Sequence, residues 1–427
     1  MAPNGHPKPL RIGIVGAGLV GSATALALSR LPNVSVSAFE QSPIPREAGA
    51  WISLTPTGIK VLNNLIPHAE LTAICYRPPP RGAYVTRHWR TGEVLVLRSS
   101  SESLRDEYHQ ARTHRHPLLK LILGHLPVGA VQYGRKVTSV DLVEGSGEVE
   151  LTFDGDKTEK FDLLVTADGI YSKIRRHFFP EHVVGYKGAV AYRTIFHKAL
   201  LDGIEGLHDD SGAWRADTDV VFLSEVGLDM YGVVIIRPES QEFVATLAWE
   251  RSIGPKGVQR LRDFYKDWDP IISRVLERVE DMQAYPLDSG PWLKQLVLHD
   301  RIAFVGDAAH PTAGAYGAGA AMGHGDAWAL YRALQATSSG DGMGSYDVPR
   351  ALRIFQQARL PFLMRVEQQM AVDVVNAGYV RQAGGRDEDE WIRRFRERNA
   401  ENQWLTEHDV ELEVQMAVMG ETLWDRK

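Results

Sequence analysis

One short stretch near the start constrains the fold more than any other. Arg11 to Val15 reads as an apolar strand and runs straight into Gly16-Ala17-Gly18-Leu19-Val20-Gly21. An Ala/Leu-rich helix follows over residues 19 to 31 and stops before Pro32, and a second strand, Val34 to Phe39, ends in Glu40. This is a βαβ unit with G-x-G-x-x-G at its first strand-to-helix turn. Gly16 permits the tight turn, Gly18 lets a pyrophosphate approach, and Gly21 lets the helix pack on the sheet. The free N–H groups at the helix start attract phosphate. Glu40, at the end of the second strand, is placed to accept both ribose hydroxyls of an adenosine and would repel a 2′-phosphate. The motif therefore points to a bound dinucleotide, FAD or NAD, with NADPH a poor tenant.

The rest of the chain is long enough to do more than this. It has 427 residues, of which 44% are hydrophobic and 24% charged, enough for two or three domains. With 48 Lys plus Arg against 54 Asp plus Glu, the formal charge of −6 lacks the basic field that nucleic acid needs. The N-terminal MAPNGHPKPLR has no apolar stretch of a signal peptide, and no run is long enough to span a membrane, so a cytoplasmic protein is expected. Cys75, the single cysteine, excludes a disulfide framework, and neither metal nor thiol chemistry has a supporting pattern.

Residues 43 to 58 read as loop, 57 to 65 and 115 to 126 as helices, and 81 to 98 as strands around Thr91-Gly92. Three strand-like runs fill 136 to 166. Further strands are expected at Val190 to Phe196, Val220 to Leu223, Met230 to Ile236 and Phe243 to Trp249. Helices return at 256–267, 270–279 and 318–336, and again beyond the flexible break at 338–344. The fold class is α/β: a Rossmann-like domain assembled from discontinuous segments (10–80, 105–182, 291–337), a β-rich domain (81–104, 183–290) and a helical region (345–427).

Two later strand ends decide between cofactors. Asp168-Gly169 closes the run Phe161 to Thr166. Gly306-Asp307 follows Arg301 to Val305 and opens a Gly/Ala-rich loop through Gly317, Ala318 and Gly319. An aspartate at a strand end can hold sugar hydroxyls while the following backbone meets a phosphate or an oxidised ring. Three such strand ends exceed what NAD requires and suit a long cofactor such as FAD.

With these motifs in hand, the chain resembles the class A FAD-dependent aromatic hydroxylases, particularly the salicylate-hydroxylase-like branch. The resemblance rests on GAGLVG at 16–21, FEQSPIPREAGAWISLTPTG at 39–58, Arg115 in HRHPLLKLI, LLVTADGIYSKIR at 163–175, GYKGAVAYRTI at 185–195 and GDAAHP at 306–311. It implies that Glu40 binds the adenosine ribose, Arg115 contacts the phosphate or sugar region, and Arg46 and Ala50 lie along the cofactor. It implies further that Asp168 serves FAD and nicotinamide handling, Asp307 holds the ribityl–pyrophosphate region, and the loop 312–319 lies against the isoalloxazine. Two positions depart from the pattern: Gly314 replaces a usual proline, and Gly325 replaces the usual acid before Asp326.

The resemblance implies a monooxygenase that consumes NADH or NADPH as a transient co-substrate and reacts with O2. A C4a-hydroperoxyflavin would then hydroxylate a small phenolic or carboxylated aromatic substrate. Such chemistry calls for a cation and a phenol on the inner face of the β-rich domain. Arg193 is the first candidate and Tyr231 the second. Each also has a plain reading, as a salt-bridge arginine and a packed sheet tyrosine. Still open are a dearomatising, epoxidising or decarboxylating outcome, a flavin oxidase, a non-catalytic flavin-binding protein, and the choice between monomer and homodimer.

Overall fold

The computed structural model describes residues 8–45, 51–248, 251–339, 344–384, 391–393, 395–396 and 403–426. Its first layer is a six-stranded sheet in the order Val297–Leu298, Ile302–Phe304, Leu163–Thr166, Leu10–Val15, Val34–Glu40, Val131–Tyr133. All neighbours in it are parallel except the Val297–Leu298 edge. Central parallel strands are covered on both faces, so they read as continuous apolar runs. Ile12, Ile14, Leu163, Leu164, Ile302 and Phe304 are fully buried. Strands from three distant stretches of chain thus lie side by side, and Val15, Thr166 and Phe304 all finish at the same edge of the sheet.

A seven-stranded, mostly antiparallel sheet forms the second layer, in the order Gln283–Ser289, Gly185–His197, Met230–Pro238, Val220–Glu225, Ser211–Arg215, Tyr84–His88, Val94–Arg98. Helices Gly254–Tyr265 and Pro270–Glu277 cover one of its faces. There Tyr192, Trp214, Val221, Tyr231, Val233 and Ile235 pack with Val258, Leu261 and Ile272. A small sheet, Trp51–Leu54, Ala111–His114 and Cys75–Tyr76, stands against the other face. Gly232 there lies so close to Trp51 that a Cβ would come within 2.9 Å of its indole.

Two expectations differ from the fold. The stretch expected as loop at 43–58 contains the strand Trp51–Leu54, whose hydrogen-bonding partner, Ala111–His114, lies too far along the chain for local reading. Phe243 to Trp249, expected as a strand, begins instead as the helix Gln241–Ala245, with the Ser240 hydroxyl accepting from the Phe243 N–H. Trp249 lies outside the described residues.

The helix Val348–Gly384 packs along Gly319–Ala336, and Val410–Val418 closes over both, extending the core through Phe355, Phe362, Leu405 and Val414. No helix among the described residues is long and apolar enough to cross a membrane.

Within Gly319–Ala336, His324 is fully buried and neither ring nitrogen has a hydrogen-bond partner among the described residues. Burial lowers its pKa from 6.5 to about 4. The unfolded chain takes up this proton before the folded one does. Stability is therefore full above the unfolded value and falls as pH drops from 6.5 to about 4. The loss is about 3 kcal/mol. Denaturant titrations should show a shallower acid limb in His324→Phe; an unchanged limb would contradict the assignment.

Candidate cofactor and substrate site

The glycine turn has the shape a dinucleotide needs. Gly16 has φ +98, and a Cβ there would come within 2.4 Å of the Ala167 carbonyl oxygen, so only glycine serves both the turn and the strand contact. At Gly21 a Cβ would stand 1.9 Å from the Gly16 carbonyl oxygen. Gly18 differs: its nearest neighbour would be Arg115 Nη2 at 3.8 Å, leaving a cradle at the start of helix Leu19–Leu28, which has no side-chain cap. The unsatisfied N–H groups of that first turn face the cradle. Arg115 flanks it, and its guanidinium makes no hydrogen bond or ion pair among the described residues. Burial lowers the Arg115 pKa, and Glu40 works against that shift.

Glu40 is held by two backbone amides, accepting from Ala17 N at 3.2 Å on Oε2 and from Ser42 N at 2.9 Å on Oε1. The same strand edge carries the two aspartates. Asp168 accepts from Lys173 N through Oδ2 at 3.0 Å, while its Oδ1 is buried with no partner among the described residues. Burial raises its pKa. The Asp307 carboxylate has no hydrogen bond among the described residues. Water reaches it along the crevice, yet the surrounding protein raises its pKa against the pull of His310 and Arg175. An orphaned carboxylate oxygen, an unpartnered carboxylate, an unpartnered guanidinium and an open phosphate cradle along one strand edge are what an extended FAD would satisfy.

Arg175 ties the two aspartate loops together. It donates through Nη1 to the carbonyls of Asp307 at 2.9 Å and Ala308 at 3.1 Å, and through Nη2 to the carbonyl of Ile170. Its positioning role could not be read from spacing, because its partners lie 132 and 133 residues away.

The loop after Asp307 holds Ala313, Gly314, Tyr316 and Gly317 at positive φ. Gly314, at φ +79, explains one departure from the family pattern: proline is locked near −65° and cannot adopt this backbone. Gly317 lies against Ser53, whose Oγ would be 3.1 Å from a Cβ there. Ala318 is buried and Gly319 begins the following helix. The second departure also has a physical account. A Cβ on Gly325 would stand 3.0 Å from Arg359 Nη2, and Arg359 finds its acids in Asp326 and Glu413 instead.

His310 is buried, with Nε2 2.6 Å from Asp326 Oδ2, and serves the core rather than the crevice. Burial pushes the Cys75 thiol up to about 11, with Arg77 and Thr113 pulling it back, so it stays protonated at neutral pH.

The two substrate-side candidates fall on opposite faces of the seven-stranded sheet. Side chains alternate along a strand, and Tyr231 packs with Val233 and Ile235 under the covering helices, its ring 6.2 Å from Phe196. Arg193 pairs with Val234 and Gln283, on the face shared with Gly232 and Trp51. Its guanidinium lies 5.3 Å from the Tyr285 ring and has no ion pair among the described residues. Arg46 and Ala50 lie outside the described residues.

No protein-family model matches the chain. It is 28% identical over 367 residues to the 6-hydroxynicotinate 3-monooxygenase of Bordetella bronchiseptica, covering 84% of this chain and 90% of that protein. A salicylate hydroxylase of Pseudomonas putida is 27% identical over 379 residues, with 84% of each covered. The solved structure of a salicylate hydroxylase substrate complex superposes with TM-score 0.75 at 21% identity, covering 96% of this chain and 98% of that one. Klebsiella pneumoniae HpxO, complexed with FAD and uric acid, superposes with TM-score 0.73 at 20% identity over 96% and 97%. These two show the same fold, a mixed α/β architecture with a discontinuous nucleotide-binding region. Sequence relatives over most of the chain, the fold and the motif set agree in what the chain is similar to: the class A FAD-dependent aromatic hydroxylases, and among them the salicylate-hydroxylase-like branch.

Proposed function

We propose that the protein is an FAD-dependent, NAD(P)H-consuming monooxygenase that hydroxylates a phenolic or carboxylated aromatic compound. One observation carries this reading: the Gly18 cradle, Glu40, Asp168 and Asp307 share one strand edge, and the loop 312–319 leads from it to the inner face of the second sheet. FAD, when bound, accepts hydride from the nicotinamide and, once reduced, activates O2 for transfer of one oxygen atom to an electron-rich ring.

The chain's own residues bind and orient. The first-turn amides at Gly18 and the Arg115 guanidinium take the pyrophosphate, Glu40 the adenosine ribose, and Asp307 the ribityl–pyrophosphate region. Asp168 supports FAD and the passing nicotinamide. Gly317, Ala318 and Gly319 present bare backbone to the ring. Arg193 holds an anionic group on the substrate side, while Trp51 helps keep water out. Tyr231, under the helices, takes no part.

The test is a panel of phenols and aromatic acids given to the FAD-loaded protein. NADH and NADPH oxidation, peroxide release and product mass are followed together. Substrate-stimulated oxidation with a product heavier by one oxygen is expected. Loss of CO2 with gain of one oxygen would identify the decarboxylating variant. Reductant consumption matched by peroxide, with no oxygenated product, would overturn the reading.

A further inference from the structure

The Tyr231 ring packs in the core of the second sheet, yet its hydroxyl has nothing to bond. The residue is 5% exposed, and among the described residues the phenol makes no hydrogen bond. Buried hydroxyls ordinarily have a partner, in the protein or in something bound to it. What Tyr231 meets is a cavity of about 250 Å3 at one end of the helix-covered face. Arg193 points to the opposite face of the same sheet, so this cavity is separate from the crevice for the cofactor and its aromatic substrate.

Strand pairing builds the cavity. Glu225, Tyr231 and Phe196 stand in one row across three neighbouring strands, and directly opposed residues share a face. The Glu225 side chain is therefore beside the Tyr231 ring, with the Phe196 ring on the other side at 6.2 Å. Leu201 and Leu207 form the apolar wall. Tyr76 arrives from the small sheet, its hydroxyl donating to the Asp209 carbonyl, and the His208 ring lies 5.8 Å from that of Trp214.

The charged lining is one-sided. Asp202, Asp209 and Glu225 face a single ammonium, that of Lys198. Lys198 is already committed, to Glu225 Oε1 at 3.2 Å and to Asp229 at 3.1 Å. Glu225 Oε2 and the Asp209 carboxylate have no hydrogen bond or ion pair among the described residues. Close by, Asp210 is matched by Arg87 at 2.5 Å. His208 adds no positive charge, because burial and Arg87 lower its pKa from 6.5. Both phenols register the excess of carboxylates. Burial raises Tyr76 to about 12, with Glu225, Asp209 and Asp210 adding to the shift. Burial also raises Tyr231, where Asp210, Tyr76 and Glu225 add and Arg87 opposes. A negative potential between aromatic walls favours a cation.

We propose that this cavity is a second ligand site, which takes a small organic cation carrying one ring, an arylalkylamine in chemical class. The ligand's ammonium donates to Glu225 Oε2 and to the Tyr231 hydroxyl oxygen, as charge-assisted hydrogen bonds. Its ring packs against Leu201, Leu207 and Tyr76. A neutral ligand of the same shape leaves the carboxylates unmatched and binds weakly. The site needs no flavin chemistry and stands apart from the monooxygenase reading.

The experiment is calorimetric titration of the FAD-loaded protein with benzylamine and with benzyl alcohol. Benzylamine should bind at least roughly tenfold tighter than the alcohol, the difference a charge-assisted hydrogen bond makes. Tyr231→Phe, which keeps the ring and removes only the hydroxyl, should weaken benzylamine roughly tenfold, and Glu225→Gln should do the same. Leu207→Trp, which fills the cavity, should abolish binding. Glu225→Gln, at a partly exposed position, gives a second reading if Tyr231→Phe fails to fold. The proposal is overturned if benzylamine does not bind, if benzyl alcohol binds as tightly, or if benzylamine affinity is unchanged in the variants, which would place it elsewhere. Benzylamine binding with the expected variant pattern but no oxygenation of any aromatic compound would leave this site standing and sink the monooxygenase reading. Oxygenation without benzylamine binding would do the reverse.

Discussion

Arg359→Ala is expected to cost about 3–5 kcal/mol of stability, because it strands two buried carboxylates. Arg359 is fully buried, donating through Nε to Asp326 Oδ1 at 3.0 Å and through Nη1 to Glu413 Oε2 at 2.7 Å. Asp326 in turn accepts from Gly306 N at 2.9 Å and pairs with His310. Burial alone would raise the Asp326 pKa, but His310, Arg359 and the Gly306 amide hold it below the usual carboxylate range. The guanidinium thus joins the C-terminal helix Val410–Val418 to the turn that carries Asp307. Its loss should lower the urea midpoint and also weaken FAD retention, although Arg359 lies in the core behind that turn. A stability change under about 1 kcal/mol, within the range of surface substitutions, would contradict this account.

Gly21→Val should abolish most FAD binding. A Cβ at this position meets the Gly16 carbonyl oxygen at 1.9 Å, so helix Leu19–Leu28 must move off the turn that cradles the phosphates. An overpacking cost near 3 kcal/mol, if felt wholly in the bound state, weakens FAD about a hundredfold. Gly18→Ala separates cofactor approach from fold. Its Cβ finds only Arg115 Nη2, at 3.8 Å, so thermal stability of the FAD-free protein should stay close to the parent's while FAD affinity falls. The check is flavin absorbance per protein after dialysis, beside melting curves of the FAD-free forms. Stoichiometric flavin in Gly21→Val would contradict the proposed role of the turn.

What was legible in the sequence is what is local along the chain. Gly16, Gly18, Gly21 and Glu40 announce their strand–turn–helix setting within about thirty residues, and Asp168 and Asp307 each follow a recognisable strand. Arg175, Arg359 and Glu413 gave no such signal, because each gets its meaning from partners brought together only by the fold. Which face a strand residue occupies was equally hidden. Tyr231 and Gly232 are adjacent in sequence, yet one packs under the helices and the other against Trp51. The helix Gln241–Ala245 was missed because its apolar residues suit a strand, while its Ser240 cap is a single residue.

The tryptophans, unexplained by composition alone, tie elements together. Trp214 donates to Asp269 at 2.7 Å beneath the second sheet, Trp292 to the Pro311 carbonyl at 3.1 Å, and Trp328 to Glu411 at 3.2 Å. Trp404 and Trp424 both pack on Phe362. Trp292 and Trp328 bear directly on the site, since they brace the loop after Asp307 and the helix that follows it.

The central claim is that this crevice directs an oxygen atom from O2 onto an aromatic ring. The most direct test supplies the FAD-loaded protein, NADH or NADPH and a turning-over aromatic substrate under dioxygen labelled with the heavy oxygen isotope. One labelled oxygen atom in each molecule of product is the expected result. Unlabelled product, or labelled peroxide with the aromatic compound recovered unchanged, would contradict it.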